Sequence, residues 1–150
     1  AIRDNLLAVS GWLDSTPYGP GSLDQNHPRR SVYLTVKRSR LIPFLQSFDA
    51  PNALQGIGQR QVTITSLQGL TMLNSPFVDR AVQRLAKRLA GLDSAGDTRY
   101  VRDGFLIALG RLPSGVEERA ALEFLSSGQA AARRDFCQML VCLNEFIHIE

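Results

Sequence analysis

Residues 75–92, SPFVDRAVQRLAKRLAGL, read as a helix that carries its own start signal. Val78, Val82, Leu85 and Leu89 recur at intervals of three and four and so share an inward face, while Arg80, Arg84, Lys87 and Arg88 turn outward. Ser75 offers an N-cap oxygen, and Pro76 suits the first helical position, where its missing N–H leaves no bond unmade. The helix is expected to run to about Leu92. Downstream, Asp97 is expected to cap a helix through Tyr100 to about Gly110 that buries Val101, Phe105, Ala108 and Leu109. Pro113 breaks the chain, and Ser114 with Glu117 spells a capping box. The next helix presents Ala120, Ala121, Phe124 and Leu125 and stops at Gly128, and a last helix carries Phe136, Met139, Leu140, Leu143 and Ile147. Amphipathic helices joined by short links predict an antiparallel helical assembly.

Upstream of Ser75 the pattern loosens. Leu67, Leu70 and Leu73 fall three apart in ITSLQGLTMLNS, which predicts a short buried helix despite the cost of Gly69. The first helix is expected from Ile2 to about Leu13, with Gly11 near its end. DSTPYGPGSLDQNHP, residues 14–28, is dense in Pro, Gly and Ser and reads as a long loop. From Arg30 to Lys37 the residues alternate, with Val32, Leu34 and Val36 on one side, which predicts a short strand or extended segment. LIPFLQSFDAPNALQGIG leaves room for a turn or two of helix around Phe44 to Phe48. The fold class is therefore mainly α: an antiparallel helical assembly with a loop-rich N-terminal half and at most one or two short strands.

At 150 residues the chain suits one domain, residues 1–150, with its own core. Seventeen Lys and Arg against fourteen Asp and Glu leave a net charge of +3, far from the clustered charge of a dedicated nucleic-acid binder. No apolar run reaches the roughly 20 residues of a membrane span. AIRDNLLAVSGWL lacks the features of a secretory signal, and the first residue is Ala1, so a piece of a longer protein is expected. Cys137 and Cys142, five apart, fall on different faces of one helix and read as small hydrophobes rather than a disulfide. There is no CxxC or CxxCH, and His27 and His148 stand far apart, so no metal or haem site is expected.

The succession RDNLLAVSGWLD, RRSVYL, FDAPN, RQVTITSLQGLTMLNSPFV, ALGRLPSGVEERAALEFL and CLNEFIHIE resembles the C-terminal part of a planctomycete domain of unknown function. That domain is found C-terminal to planctomycete cytochrome C-type domains in large exported proteins. The blocks span nearly the whole chain in order. The resemblance implies a mainly helical fold, a periplasmic or cell-envelope setting, and upstream domains of the same parent as partners. Haem would belong to an upstream domain, with no cofactor in this chain.

Arg60, Thr63, Thr65, Gln68 and Asn74 resemble the family's motif positions. Polar groups of this kind, set between apolar residues, either satisfy irregular backbone or line a site. Arg60 could donate to Asp49 or to carbonyls of the FDAPN loop. If a cleft exists instead, Arg29, Arg30, Tyr33, Arg60, Gln68 and Asn74 would line it, since guanidinium forks beside an aromatic face suit an acidic or sulfated polysaccharide. RRSVYLTVKRSR also invites a nucleic-acid reading, but no reader module accompanies it, and a solvated edge is the simpler account. Asp4, Asp14, Asp24, Asp49, Asp135 and Glu145 are scattered, with no GxSxG or HExxH. The sequence thus points to a non-catalytic interaction module, with anionic polysaccharide binding as the alternative.

Overall fold

The computed structural model describes residues 1–37, 39–50, 65–92, 96–129 and 131–147. Helices dominate: α1 (Ile2–Val9), α2 (Pro43–Ser47), α3 (Ser66–Asn74), α4 (Pro76–Ala90), α5 (Asp97–Leu109), α6 (Gly115–Ser126), α7 (Ala132–Cys142) and α8 (Asn144–Ile147). No sheet forms among the described residues, where extended backbone pairs only in single bridges, Asp14 with Arg29, Ser22 with Leu34 and Lys37 with Arg40.

The core is the helical half. Val78, Val82, Leu85 and Leu89 of α4 are all buried, and α4 packs chiefly on α7, through a layer that includes Phe136, Cys137 and Leu140. Ser75 accepts from the Phe77 N–H, and Pro76 opens the helix. The helix closes at Ala90, two residues before the expected end. Helices α5 and α6 complete the bundle through Tyr100, Val101, Phe105, Ala121 and Leu125. A Cβ on Gly104 would come within 2.8 Å of the Phe136 ring, so the bare backbone there is what lets α5 approach α7. The Tyr100 hydroxyl lies 3.5 Å from the buried Cys137 sulfur, and neither cysteine is in a disulfide. The Ser114–Glu117 capping box at α6 forms with both of its bonds.

Several expectations are corrected. Helix α1 stops at Val9 because Gly11, at φ 68°, turns the chain into a Schellman closure, with Gly11 N–H donating to the Ala8 carbonyl and Trp12 N–H to that of Leu7. Asp97 is the first residue of α5 rather than its cap, and its carboxylate pairs with Arg133 at 2.9 Å. Ala108 and Leu109 are only half-buried, and Ala120 and Phe124 are exposed. The last helix breaks at Leu143, whose extended ψ of 143° separates α7 from α8, and Met139 faces outward. Residues 30–37 make no regular strand: Ser31–Tyr33 form a 3-10 turn, Leu34 is buried, and Val32 and Val36 are exposed. Most consequential, α3 forms but turns its other side to the core. Gln68 and Met72 are buried, while Leu67, Leu70 and Leu73 are 61%, 55% and 59% exposed.

Candidate functional site

The loop-rich half is held by two inward-pointing arginines. Arg3 leaves the first turn of α1 and is 2% exposed. Its Nε donates to the Gln25 carbonyl at 3.2 Å, Nη1 to the Arg29 carbonyl at 2.9 Å and the Ser31 hydroxyl at 3.2 Å, and Nη2 to the His27 carbonyl. Next to it, Asp4 accepts from the Ser31 N–H at 2.7 Å and from the Ser31 hydroxyl at 2.6 Å. One turn of helix thus clamps residues 25–31, a stretch whose carbonyls have few regular ladder partners. Burial pulls the Arg3 guanidinium below the ordinary arginine value, and the charges of Asp4 and Asp24 oppose that pull.

Arg29 performs the second clamp. Its Nη1 donates to the Pro20 carbonyl at 3.2 Å and its Nη2 to the Tyr18 carbonyl, while the guanidinium lies 3.6 Å from the centre of the Tyr33 ring. The Nε of Arg29 is buried without a hydrogen-bond partner. Tyr33 in turn accepts from the Tyr18 N–H at 3.1 Å. Loop 14–28 is therefore folded back onto the backbone that follows it by charge-assisted bonds to carbonyls, each stronger than a neutral bond.

The other residues singled out by the sequence separate into distinct places. Thr65 caps α3 and Gln68 completes the capping box, its Oε1 accepting from the Thr65 N–H and its Nε2 donating to Asp49 Oδ2 at 3.4 Å. Asn74 is exposed and donates to the Leu70 carbonyl of its own helix. Arg30 is exposed. Arg60, Thr63 and His148 lie outside the described residues. Arg29 and Tyr33 are thus brought together, as are Asp49, Thr65 and Gln68, whereas Arg30 and Asn74 join neither group. Arg3 escaped the sequence reading, although a signal existed: it precedes Leu6 and Leu7 by three and four residues and so shares the buried face of α1.

Beside the Arg3 clamp runs a groove of about 380 Å³ between α1, residues 31–36 and α2. Its walls are mostly apolar, with Ile2, Leu34, Ile42, Phe44, Leu45 and Phe48 prominent. Among the described residues, no group of three or more His, Cys, Asp or Glu is placed to hold a metal ion. What these two arginines chiefly do is hold backbone: five of their hydrogen bonds go to carbonyls of the same chain.

Residues 1–125 match the family described as PSD1, protein of unknown function (DUF1553). No curated protein and no solved structure matches the chain. No helix among the described residues is long and apolar enough to cross a membrane. A family match that takes in α1 through nearly all of α6, with both arginine clamps inside it, identifies the chain as a member of the PSD1 (DUF1553) family.

Proposed function

We propose that this chain is a non-catalytic interaction module that docks against an upstream domain of the same exported parent protein, in the periplasm or cell envelope. The observation that carries the reading is the leucine edge of α3. Leu67, Leu70 and Leu73 all stand more than half exposed on one nine-residue helix, while the opposite edge is anchored by Gln68 and Met72. A helix that buries one edge in its own fold and offers leucines on another is shaped to be covered from both sides. Among the described residues, Arg3 and Arg29 direct most of their donors at backbone carbonyls, which supports a scaffold reading. The haem implied by the family's usual neighbour stays with that neighbour in this reading.

Hydrogen exchange on the parent and on residues 1–150 alone tests it. The α3 amides are expected to exchange at least tenfold more slowly in the parent, and Leu67→Gln with Leu70→Gln to abolish the difference. Equal exchange in both contexts defeats the docking, and slowing that depends on protein concentration identifies a second copy of the chain as the occupant instead.

A further inference from the structure

The outer face of α4 carries four cations, three of which the fold holds in place without neutralising. Arg80, Arg84, Lys87 and Arg88 lie within about 100° of one another around the helix and span about 12 Å of its axis. All four are exposed. Three are tethered, each to an uncharged acceptor. Arg88 Nη1 donates to the Ala8 and Val9 carbonyls at 3.1 and 2.8 Å, Arg80 Nη2 to Asn26 Oδ1, and the Arg84 guanidinium sits 4.7 Å from the centre of the Trp12 ring.

Elsewhere in the described helical half, Arg119 apart, the arginines pair with carboxylates. Arg99 pairs with Asp103, Arg102 with Glu118, Arg111 with Glu117 and Glu145, Arg133 with Asp97, and Arg134 with Asp79 and Asp135. On the α4 face no carboxylate of a described residue lies within ion-pair distance of the four cations. Since a guanidinium carries five donors, the tethers on Arg80 and Arg88 leave others pointing outward. Side chains fixed in advance also lose less entropy when a ligand arrives.

We propose that this face binds a linear polysaccharide bearing regularly spaced carboxylate or sulfate groups. Cations four residues apart are separated by about 6 Å along the axis, a fixed ladder for anions that repeat along a chain. Stacked nucleobases fit the face less well. Trp12 is covered by Arg84 and also stacks on Phe77 at 5.7 Å, so it offers no open platform to a base. Arg29, by contrast, directs Nη1 and Nη2 at loop carbonyls. This face is separate from the leucine edge of α3, so each proposal can fail without the other.

The test is binding of a fluorescent heparin hexasaccharide and of polygalacturonate to residues 1–150 in low salt, with neutral dextran and a short DNA duplex as comparisons. Lys87→Gln, at a side chain with no hydrogen-bond or ion-pair partner among the described residues, is expected to weaken heparin binding about threefold, and Arg80→Gln/Arg84→Gln/Lys87→Gln at least thirtyfold, with the salt dependence of log K falling by about three. Arg119→Gln removes another exposed charge, on α6, and is expected to change nothing. The proposal is overturned if Arg119→Gln weakens binding as much as Lys87→Gln, if dextran binds equally, or if the duplex binds more tightly than either polyanion. Thermal melts of the triple variant separate lost binding from lost folding, and the single Lys87 variant decides the matter if the triple one melts early.

Discussion

A methionine at position 3 would preserve much of the arginine stem but leave the carbonyls of Gln25, His27 and Arg29 without their donor. Leaving buried polar groups unpaired is far more costly than the modest net gain of the bonds themselves. Arg3→Met is therefore expected to lose about 3–5 kcal/mol in urea unfolding, the range for breaking a buried charged network. Arg3→Lys should recover little, because a single ammonium cannot reach acceptors that diverge in three directions. The acid behaviour of Glu117 also belongs to single residues. Hydrogen bonds from Arg111, together with the Ser114 N–H, pull the Glu117 carboxyl down from 4.5 to about 2. A depressed folded-state value means this contribution is complete above about pH 4.5 and is lost as pH falls toward 2. Wild type should accordingly lose more melting temperature across that window than Glu117→Gln, and parallel curves for the two would contradict the assignment.

Among the elements, α5 and α7 meet where side-chain volume is least. Gly104→Ala would place a methyl 2.8 Å from the Phe136 ring and 3.2 Å from Leu140, a clash expected to cost about 1–3 kcal/mol. On α3 the two edges should respond in opposite ways. Met72→Ala is expected to lose about 2–5 kcal/mol and Leu70→Gln to stay within about 0.5 kcal/mol of wild type in denaturant titrations of the isolated chain. The contrast shows what local sequence encodes. The start of α4 and the capping box of α6 were readable because Ser75–Pro76 and Ser114–Glu117 act within one turn. The orientation of α3 was not, because three leucines on one edge outweigh Gln68 and Met72 in any count of hydrophobicity. The capping box of α3 satisfies the Gln68 amide oxygen, and Asp49 accepts from its nitrogen, which lets a polar side chain take the inner position.

For the molecule as a whole, the mainly helical class followed from periodicity, whereas the course of the first fifty residues did not. The described residues of that half form no repeating ladder and take their shape from bonds between residues nine to twenty-eight apart, such as Arg29 to Pro20 and Arg3 to Ser31. Spacing along a chain carries no signal for such pairs. The polar reading of Arg29 and Tyr33 was legible as composition, but the choice between lining a cleft and holding backbone depended on where the chain folds back. Arg88 joins the halves from the other side, bringing positive charge to the carbonyl end of α1, where the helix dipole favours it.

The shielded sulfur of Cys137 gives this protein an internal clock. Burial pushes its thiol up to about 11, so near neutrality it is almost wholly protonated and slow to react, and the side chain, fully buried in the core, is closed to reagents as well. At pH 8 an alkylating reagent should consume Cys142 first and take Cys137 only as fast as the bundle opens. Small additions of urea should then accelerate Cys137 with the steep dependence of complete unfolding, and mass spectrometry of the two peptides would time how often the molecule comes apart in water.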